Sequence, residues 1–143
     1  MSILAVATAS VLFLIAALHA YWGMGGVWPG VDEQSCARSV TGFAGRTRMP
    51  GPAAAFAVVA ALALAALVAL AQGGLIVTPF PPVLPLLATL AAMAVFLGRG
   101  IAGFTPAWRR LTPELPFARL DVILYSPLCL TIGAAFAVLA ILG

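Results

Sequence analysis

The stretch from Met49 to Gly98 contains no charged residue, and this feature limits most strongly what the chain can fold into. The whole chain of 143 residues is 64% hydrophobic and only 8% charged, whereas soluble domains carry about 25% charged residues. A soluble domain of this size could not bury so much apolar surface, so lipid must be its solvent. The stretch exceeds one crossing of about 20 residues, and Gly73 and Gly74, with four prolines after them, divide it.

The apolar segments predict an all-α integral membrane protein, in which four transmembrane helices form an up-down bundle and one domain over residues 1–143. The predicted bounds of the helices are about 3–22, 52–72, 83–101 and 122–142, and polar loops cover 23–51 and 102–121. We interpret the first helix as retained and not as a signal peptide, because no Lys or Arg precedes it and its apolar run is too long.

All seven arginines lie in the first and third connections, and the chain has no lysine. Because Lys and Arg are retained in cytoplasmic loops, we expect both large loops in the cytoplasm and both termini in the periplasm. The protein would then be a multi-pass protein of the bacterial inner membrane, with the lipid bilayer as its partner. Arginines divided between two loops are topology signals, so they do not predict nucleic-acid binding.

Small side chains recur every four residues along the second helix. The stripe consists of Ala53, Ala57, Ala61, Ala65 and Ala69, and Gly73 continues it. Small residues let a neighbouring backbone approach closely. The stripe therefore predicts a helix contact, within the bundle or in a homo-oligomer or larger membrane complex, although an alanine-rich composition alone would also produce it. Gly133 and Ala137 form a similar pair on the fourth helix.

Ionisable residues are predicted to meet at one membrane boundary, where unpaired charges are costly. They are His19 and Tyr21 on the first helix, Arg99 on the third, and Asp121 and Tyr125 on the fourth. Asp121 and Tyr125 lie one helical turn apart and therefore on one face. We hypothesise that His19, Asp121 and Tyr125 form one site, because antiparallel helices with level ends bring such groups within hydrogen-bonding reach.

Each of these residues also has a simpler structural interpretation. Arg99 and Arg119 would anchor helices at the boundary, and Asp121 would cap the fourth helix or pair with Arg119. The residues typical of an aromatic belt are Tyr21, Trp22 and Trp28. The candidates for ligand binding are His19, Tyr21, Trp22, Trp28, Arg99, Arg119, Asp121 and Tyr125.

Two further features concern the backbone. Asp32 predicts the cap of a short helix in the first loop, whose apolar residues, Cys36 among them, would face the membrane surface. Pro127 has no N–H group, which leaves the carbonyl of Ile123 free, one turn beyond Asp121, to accept a hydrogen bond from a ligand or side chain.

Sites with a recognisable motif are missing. Cys36 and Cys129 form no C-x-x-C pair, which argues against a thiol-redox centre, and a single histidine provides no metal-ligand cluster. A haem would require two protomers to share the iron, and a cation antiporter would require a mid-span carboxylate. The residues from Gly98 to Gly103 match G-x-G-x-x-G, but a membrane helix and not a strand precedes them. We predict no cofactor and no metal.

Two longer motifs lie at the predicted boundary. They read His19-x-Tyr21-Trp22-x-x-Gly25-Gly26-x-Trp28 and Phe117-Ala118-Arg119-Leu120-Asp121-x-x-x-Tyr125-Ser126-Pro127-Leu128-Cys129-Leu130, and a weaker third reads Phe96-Leu97-x-Arg99. Through these motifs, nearly the whole chain resembles a bacterial family of small four-helix membrane proteins catalogued as domain of unknown function 3995. The resemblance implies an integral membrane protein with both motifs at one interface, and it implies no activity.

The chain departs from the family pattern at one place. The resemblance implies Gly-Asp-Phe after the third helix, whereas this chain has Ala102-Gly103-Phe104. We therefore expect Arg99 to lack a nearby acidic group.

Two functions fit these patterns. The leading hypothesis is a non-catalytic helical module that binds a small hydrophobic or lipid-like ligand, or a partner subunit, at the cytoplasmic interface. The alternative is a small membrane enzyme in which His19 acts as general acid or base on a lipid-phase substrate, while Asp121 and Tyr125 orient it or donate protons. The lack of a cofactor motif and of a clear nucleophile favours the first.

Overall fold

The computed structural model describes residues 1–143, and all its regular structure is helical. The helices are α1 Ser2–Gly23, α2 Glu33–Val40, α3 Pro52–Gln72, α4 Val83–Ala102, α5 Pro106–Leu111, α6 Phe117–Leu120 and α7 Ser126–Leu142. A π-helical turn, Asp121–Tyr125, joins α6 to α7, so that one span runs from Phe117 to Leu142. This span begins at Phe117 and not at Val122.

Four spans are long and apolar enough to cross a membrane: α1, α3, α4 and the α6–α7 span. They pack antiparallel as two close pairs, α1 with α3 and α4 with α7, and the contacts between the pairs are fewer. The predicted fold class is confirmed. The N-terminal end of α3, the C-terminal ends of α1 and α4, and the start of the last span lie at one end of the bundle, which we call the arginine-bearing end.

Small side chains form much of the contact between α1 and α3. The core consists of Ala5, Ala9, Leu12 and Ala16 of α1, Leu62, Ala66 and Ala69 of α3, and Ile132, Phe136 and Leu139 of α7. Alanines bring two backbones close together, so that dispersion contacts replace contacts with lipid. At the far end, Gly73 lies directly against the side chain of Ala5, which leaves no room for a Cβ atom there.

The alanine stripe of α3 is not a single buried face. Ala69 is buried, whereas Ala53, Ala57 and Ala61 are exposed in the single chain. A repeat of four residues advances about 40° beyond a full turn, so four repeats rotate the stripe by about 160°. The stripe therefore starts on the open side of α3 and reaches the α1 contact only near its end.

Glycines set the distance between α4 and α7. A Cβ atom on Gly100 would lie 2.6 Å from Cγ of Leu130, and one on Gly133 would lie 2.7 Å from the side chain of Leu97. Both would also lie 3.0 Å from a backbone nitrogen of the opposite helix. The two glycines thus let these helices pack backbone to backbone at the level of the candidate site.

The short helix α2 begins as the sequence predicts. The carboxylate of Asp32 accepts a hydrogen bond from the backbone N–H of Ser35 at 2.7 Å and another from its hydroxyl, also at 2.7 Å. These hydrogen bonds hold the pKa of Asp32 below its usual value. The expectation that Cys36 faces the membrane surface is wrong, because Cys36 is fully buried against the protein. That burial raises the pKa of its thiol.

Candidate functional site

A buried carboxylate is the centre of the arginine-bearing end. Asp121 has no exposed surface, and its Oδ1 accepts hydrogen bonds from Nη2 of Arg99 at 2.6 Å and from Oγ of Ser126 at 3.1 Å. Its Oδ2 accepts from Nε1 of Trp108 at 2.9 Å and from Nη1 of Arg109 at 3.4 Å. We call these five residues the Asp121 cluster. Each carboxylate oxygen therefore has two donors.

Three chain segments position the cluster. Arg99 lies in the last turn of α4, and α5 supplies Trp108 and Arg109. Thr105 fixes the start of α5, because its hydroxyl accepts from the backbone N–H of Trp108 at 3.3 Å. Pro106 suits the first turn of that helix, where its missing N–H is not needed.

The π turn brings the last pair of the cluster together. Asp121 and Ser126 lie five positions apart, and the backbone N–H of Ser126 donates to the carbonyl of Asp121. This i→i+5 bond closes a wider turn than an α-helix does, and such turns are frequent at functional sites. Pro127 follows directly and cannot donate a backbone hydrogen bond, which interrupts the normal α-helical pattern at this point.

Gly103 leaves the space that the cluster occupies. A Cβ atom at this position would overlap Oγ of Ser126 and lie 3.1 Å from Nη1 of Arg99. Any larger residue would push the serine hydroxyl away from Asp121.

The accessible side of the cluster is cationic. Two guanidinium groups share one carboxylate, which leaves one excess positive charge. The side chains of Arg99 and Arg109 are 29% and 28% exposed, whereas that of Asp121 is 0% exposed. The guanidinium of Arg99 also lies 4.7 Å from the ring centre of Trp108, a favourable cation–π contact.

These contacts correct three expectations from the sequence. Asp121 neither caps the last helix nor pairs with Arg119, which is exposed and has no ion pair. Arg99 is not merely a boundary anchor, since it forms the shortest ion pair of the protein. The expectation that Arg99 lacks an acidic neighbour is also wrong, because the last span supplies Asp121.

His19 has contacts of its own. Its Nδ1 lies 2.8 Å from the carbonyl oxygen of Ile15, one turn earlier in α1, and its ring meets that of Trp22 edge-on at 5.0 Å. Tyr125 donates its hydroxyl to the carbonyl of Ser39 at 3.2 Å. No hydrogen bond joins His19, Asp121 and Tyr125 to one another, and a shared site for them stays a prediction.

The predicted belt residues contact one another at the end of α1. Nε1 of Trp22 donates to the carbonyl of Trp28 at 2.7 Å, and the backbone N–H of Trp28 donates to the hydroxyl of Tyr21 at 3.3 Å. Trp28 is 61% exposed. An exposed indole ring beside a hydrogen-bonded tyrosine and tryptophan suits the headgroup level of a bilayer.

The two polar loops are fastened to each other. Glu114 of the third connection forms an ion pair with Arg38 at 3.1 Å and accepts from the backbone N–H of Gly45 at 3.3 Å. The ring of Phe43 meets that of Trp108 edge-on at 6.3 Å. The first loop therefore covers one side of the Asp121 cluster.

Sequence reasoning missed Trp108, Arg109 and Ser126. The sequence contained one signal for Arg109. Asp121 lies at the end of an apolar span, where a carboxylate needs a cationic partner, and several arginines precede it in the chain. The serine depends on the π turn, and a spacing of five residues is no neighbour relation in a regular α-helix.

A second feature is an open groove between α3 and α4. It consists of two adjoining hollows of about 600 Å³ and 390 Å³ that share Leu64, Val68 and Ala88 on their walls. The larger is lined only by hydrophobic residues: Ala57, Val58, Ala61, Leu62, Leu64, Ala65, Val68, Ala88, Ala91, Ala92, Val95 and Phe96. From Ala57 to Ala71 the walls extend about 21 Å along α3. We call the two hollows together the α3–α4 groove.

The fold and the site define a multi-pass helical membrane protein in which a buried ion cluster ties together one end of the bundle. The chain belongs to the family described as Protein of unknown function (DUF3995), whose model matches residues 12–136. This match confirms the resemblance seen in the sequence motifs. No curated protein and no solved structure matches the chain.

Proposed function

We propose that the protein is a non-catalytic membrane module that binds a lipid-like ligand, with one long apolar chain of that ligand in the α3–α4 groove. The observation that carries this proposal is the groove itself, whose larger hollow of about 600 Å³ has only hydrophobic walls. The groove is open along its side, which would face the hydrocarbon of the bilayer if α3 and α4 span it. A ligand can therefore enter from lipid without crossing water.

The dimensions of the groove suit a hydrocarbon chain. A partner helix, with a volume on the order of 1,600 Å³ over about 21 Å, would cover the groove from outside and fill it only with side chains. An extended hydrocarbon chain is narrower and fits the length of the groove. A partner subunit in the groove remains an outcome that the test below would reveal.

The hydrogen bonds of Asp121 support a binding module over an enzyme. A general acid or base must reach the proton that it transfers. Both oxygens of Asp121 already accept two hydrogen bonds each, and the side chain is fully buried. The carboxylate is thus suited to holding the bundle end together, and His19 has no hydrogen-bonded carboxylate to orient it.

Native mass spectrometry of the purified protein with added 1-hexadecanol tests the proposal. Ala61→Leu places a larger side chain in the groove and should abolish binding. Ala60→Leu is the matched control, because Ala60 is exposed on the same helix and does not line the groove. Equal alcohol binding by both variants would contradict the proposal, and a dimer lost only in Ala61→Leu would indicate a second chain as the occupant.

A further inference from the structure

We infer that the ligand of the α3–α4 groove is an anionic amphiphile, whose carboxylate or phosphate head group binds Arg99. This inference rests on the proposed function, because it assigns a head group to the ligand of the same groove. Three observations carry it: the place of Arg99 one turn beyond the groove-lining residues of α4, the free donors of its guanidinium, and the charge of the Asp121 cluster.

Arg99 lies at the end of the groove by helical register. Ala88, Ala92 and Val95 line the groove on α4, and Arg99 follows. These four residues are separated by four, three and four positions, so they lie on one stripe of the helix. The rise from Val95 to Arg99 is about 6 Å. An apolar chain in the groove would thus place a head group at the level of the arginine, near the arginine-bearing end of the bundle.

The guanidinium has donors left for a ligand. One N–H of Arg99 donates to Asp121 and one to Ser126, and an arginine has five N–H donors. The remaining three make no hydrogen bond to the protein, and the side chain is 29% exposed. Asp121 and the ring of Trp108 hold the guanidinium in place from two sides, so little conformational entropy is lost when a head group binds.

Charge complementarity identifies the head group as anionic. Asp121 neutralises only one of the two guanidinium groups in its cluster. The nearest other carboxylate in the third connection, Glu114, is already paired with Arg38. An anion at the exposed side of Arg99 would balance the excess charge, whereas a neutral head group would leave it unbalanced at the edge of a low-dielectric region.

Competition between palmitate and 1-hexadecanol, which have equal chain lengths, tests the inference by native mass spectrometry. We expect the protein to bind palmitate about tenfold more tightly than the alcohol, as a charge-assisted hydrogen bond would give. Arg99→Gln should remove this preference and retain alcohol binding. Arg110→Gln is the control, because Arg110 is an exposed arginine of the same connection with no ion pair, and it should keep the preference.

Asp121→Asn tests the inference by a gain of palmitate binding instead of a loss. This test does not depend on whether Arg99→Gln folds. Removal of the negative charge should increase palmitate binding several-fold without a change for the alcohol. Hexadecyl phosphate in place of palmitate distinguishes a phosphate site from a carboxylate site, and tight binding of either supports the inference. Equal binding of acid, phosphate and alcohol would overturn the inference but not the groove, whereas no binding of any of them would overturn the proposed function as well.

Discussion

Substitution of Asp121 by alanine should destabilise the bundle far more than substitution of the other paired carboxylate, Glu114. Asp121→Ala leaves two guanidinium groups facing each other without a counter-charge, and it leaves Trp108 and Ser126 without an acceptor. Removal of one partner of a buried ion pair costs about 3–5 kcal/mol. Because both arginines are partly exposed and can reach water, we expect the lower end, about 3 kcal/mol.

Glu114→Ala is the matched control. Its ion pair with Arg38 is exposed, with 48% of the arginine and 27% of the glutamate side chain accessible. Exposed pairs contribute about 0–1 kcal/mol. Asp121→Asn should lie between the two alanine variants, because the amide keeps the shape and one acceptor oxygen but removes the charge.

The measurement is the free energy of unfolding in mixed micelles, from titration with sodium dodecyl sulfate, followed by far-UV circular dichroism and by tryptophan fluorescence. Trp108, one of three tryptophans in the chain, donates directly to Asp121, so part of the fluorescence signal comes from the cluster. If Asp121→Ala costs no more than Glu114→Ala, the cluster does not hold the bundle end together and the reasoning from its hydrogen bonds is refuted.

Three further outcomes are expected. Gly103→Ala should lower the free energy of unfolding by about 1–3 kcal/mol, since a Cβ atom would displace the hydroxyl of Ser126. Gly98 is the control, because it has open space around it. Gly98→Ala should be neutral or stabilising by up to about 1 kcal/mol in the same titration. The separate hydrogen-bond partners of His19 and Asp121 predict that the effects of His19→Ala and Asp121→Asn on stability add, whereas a double variant no worse than one single variant would support the shared site predicted from the sequence. A C-terminal alkaline phosphatase fusion should be active, as positive loops in the cytoplasm require, and an inactive C-terminal fusion with an active one in the first loop would reverse the orientation.

The sequence predicted the four-helix bundle because the features that decide it are local. Apolar length, proline and glycine breaks, and the absence of charge between Met49 and Gly98 each act within one segment. The same holds for the cap of α2, where Asp32 and Ser35 lie three positions apart.

The sequence predicted the partners of polar residues poorly because those partners depend on helix rotation. Asp121 was identified as a candidate, yet its ion pairs with Arg99 and Arg109 span 22 and 12 positions of the chain. A short distance in sequence favoured Arg119 instead. The alanine stripe enters the contact with α1 at one end only for a similar reason, since the rotation of a four-residue repeat becomes large over the full length of α3; a contact of its exposed part in an oligomer stays a prediction.

Gly103 affects both the packing and the charge of the Asp121 cluster. The resemblance implies an aspartate where this chain has Gly103. A Cβ atom added to Gly103 would lie 3.1 Å from Nη1 of Arg99. An aspartate there would bring a second carboxylate to the cluster and neutralise its remaining positive charge. It would also need the space that the hydroxyl of Ser126 occupies. The glycine therefore has two consequences in this chain: Ser126 can donate to Asp121, and the Asp121 cluster keeps one excess positive charge, shared by Arg99 and Arg109.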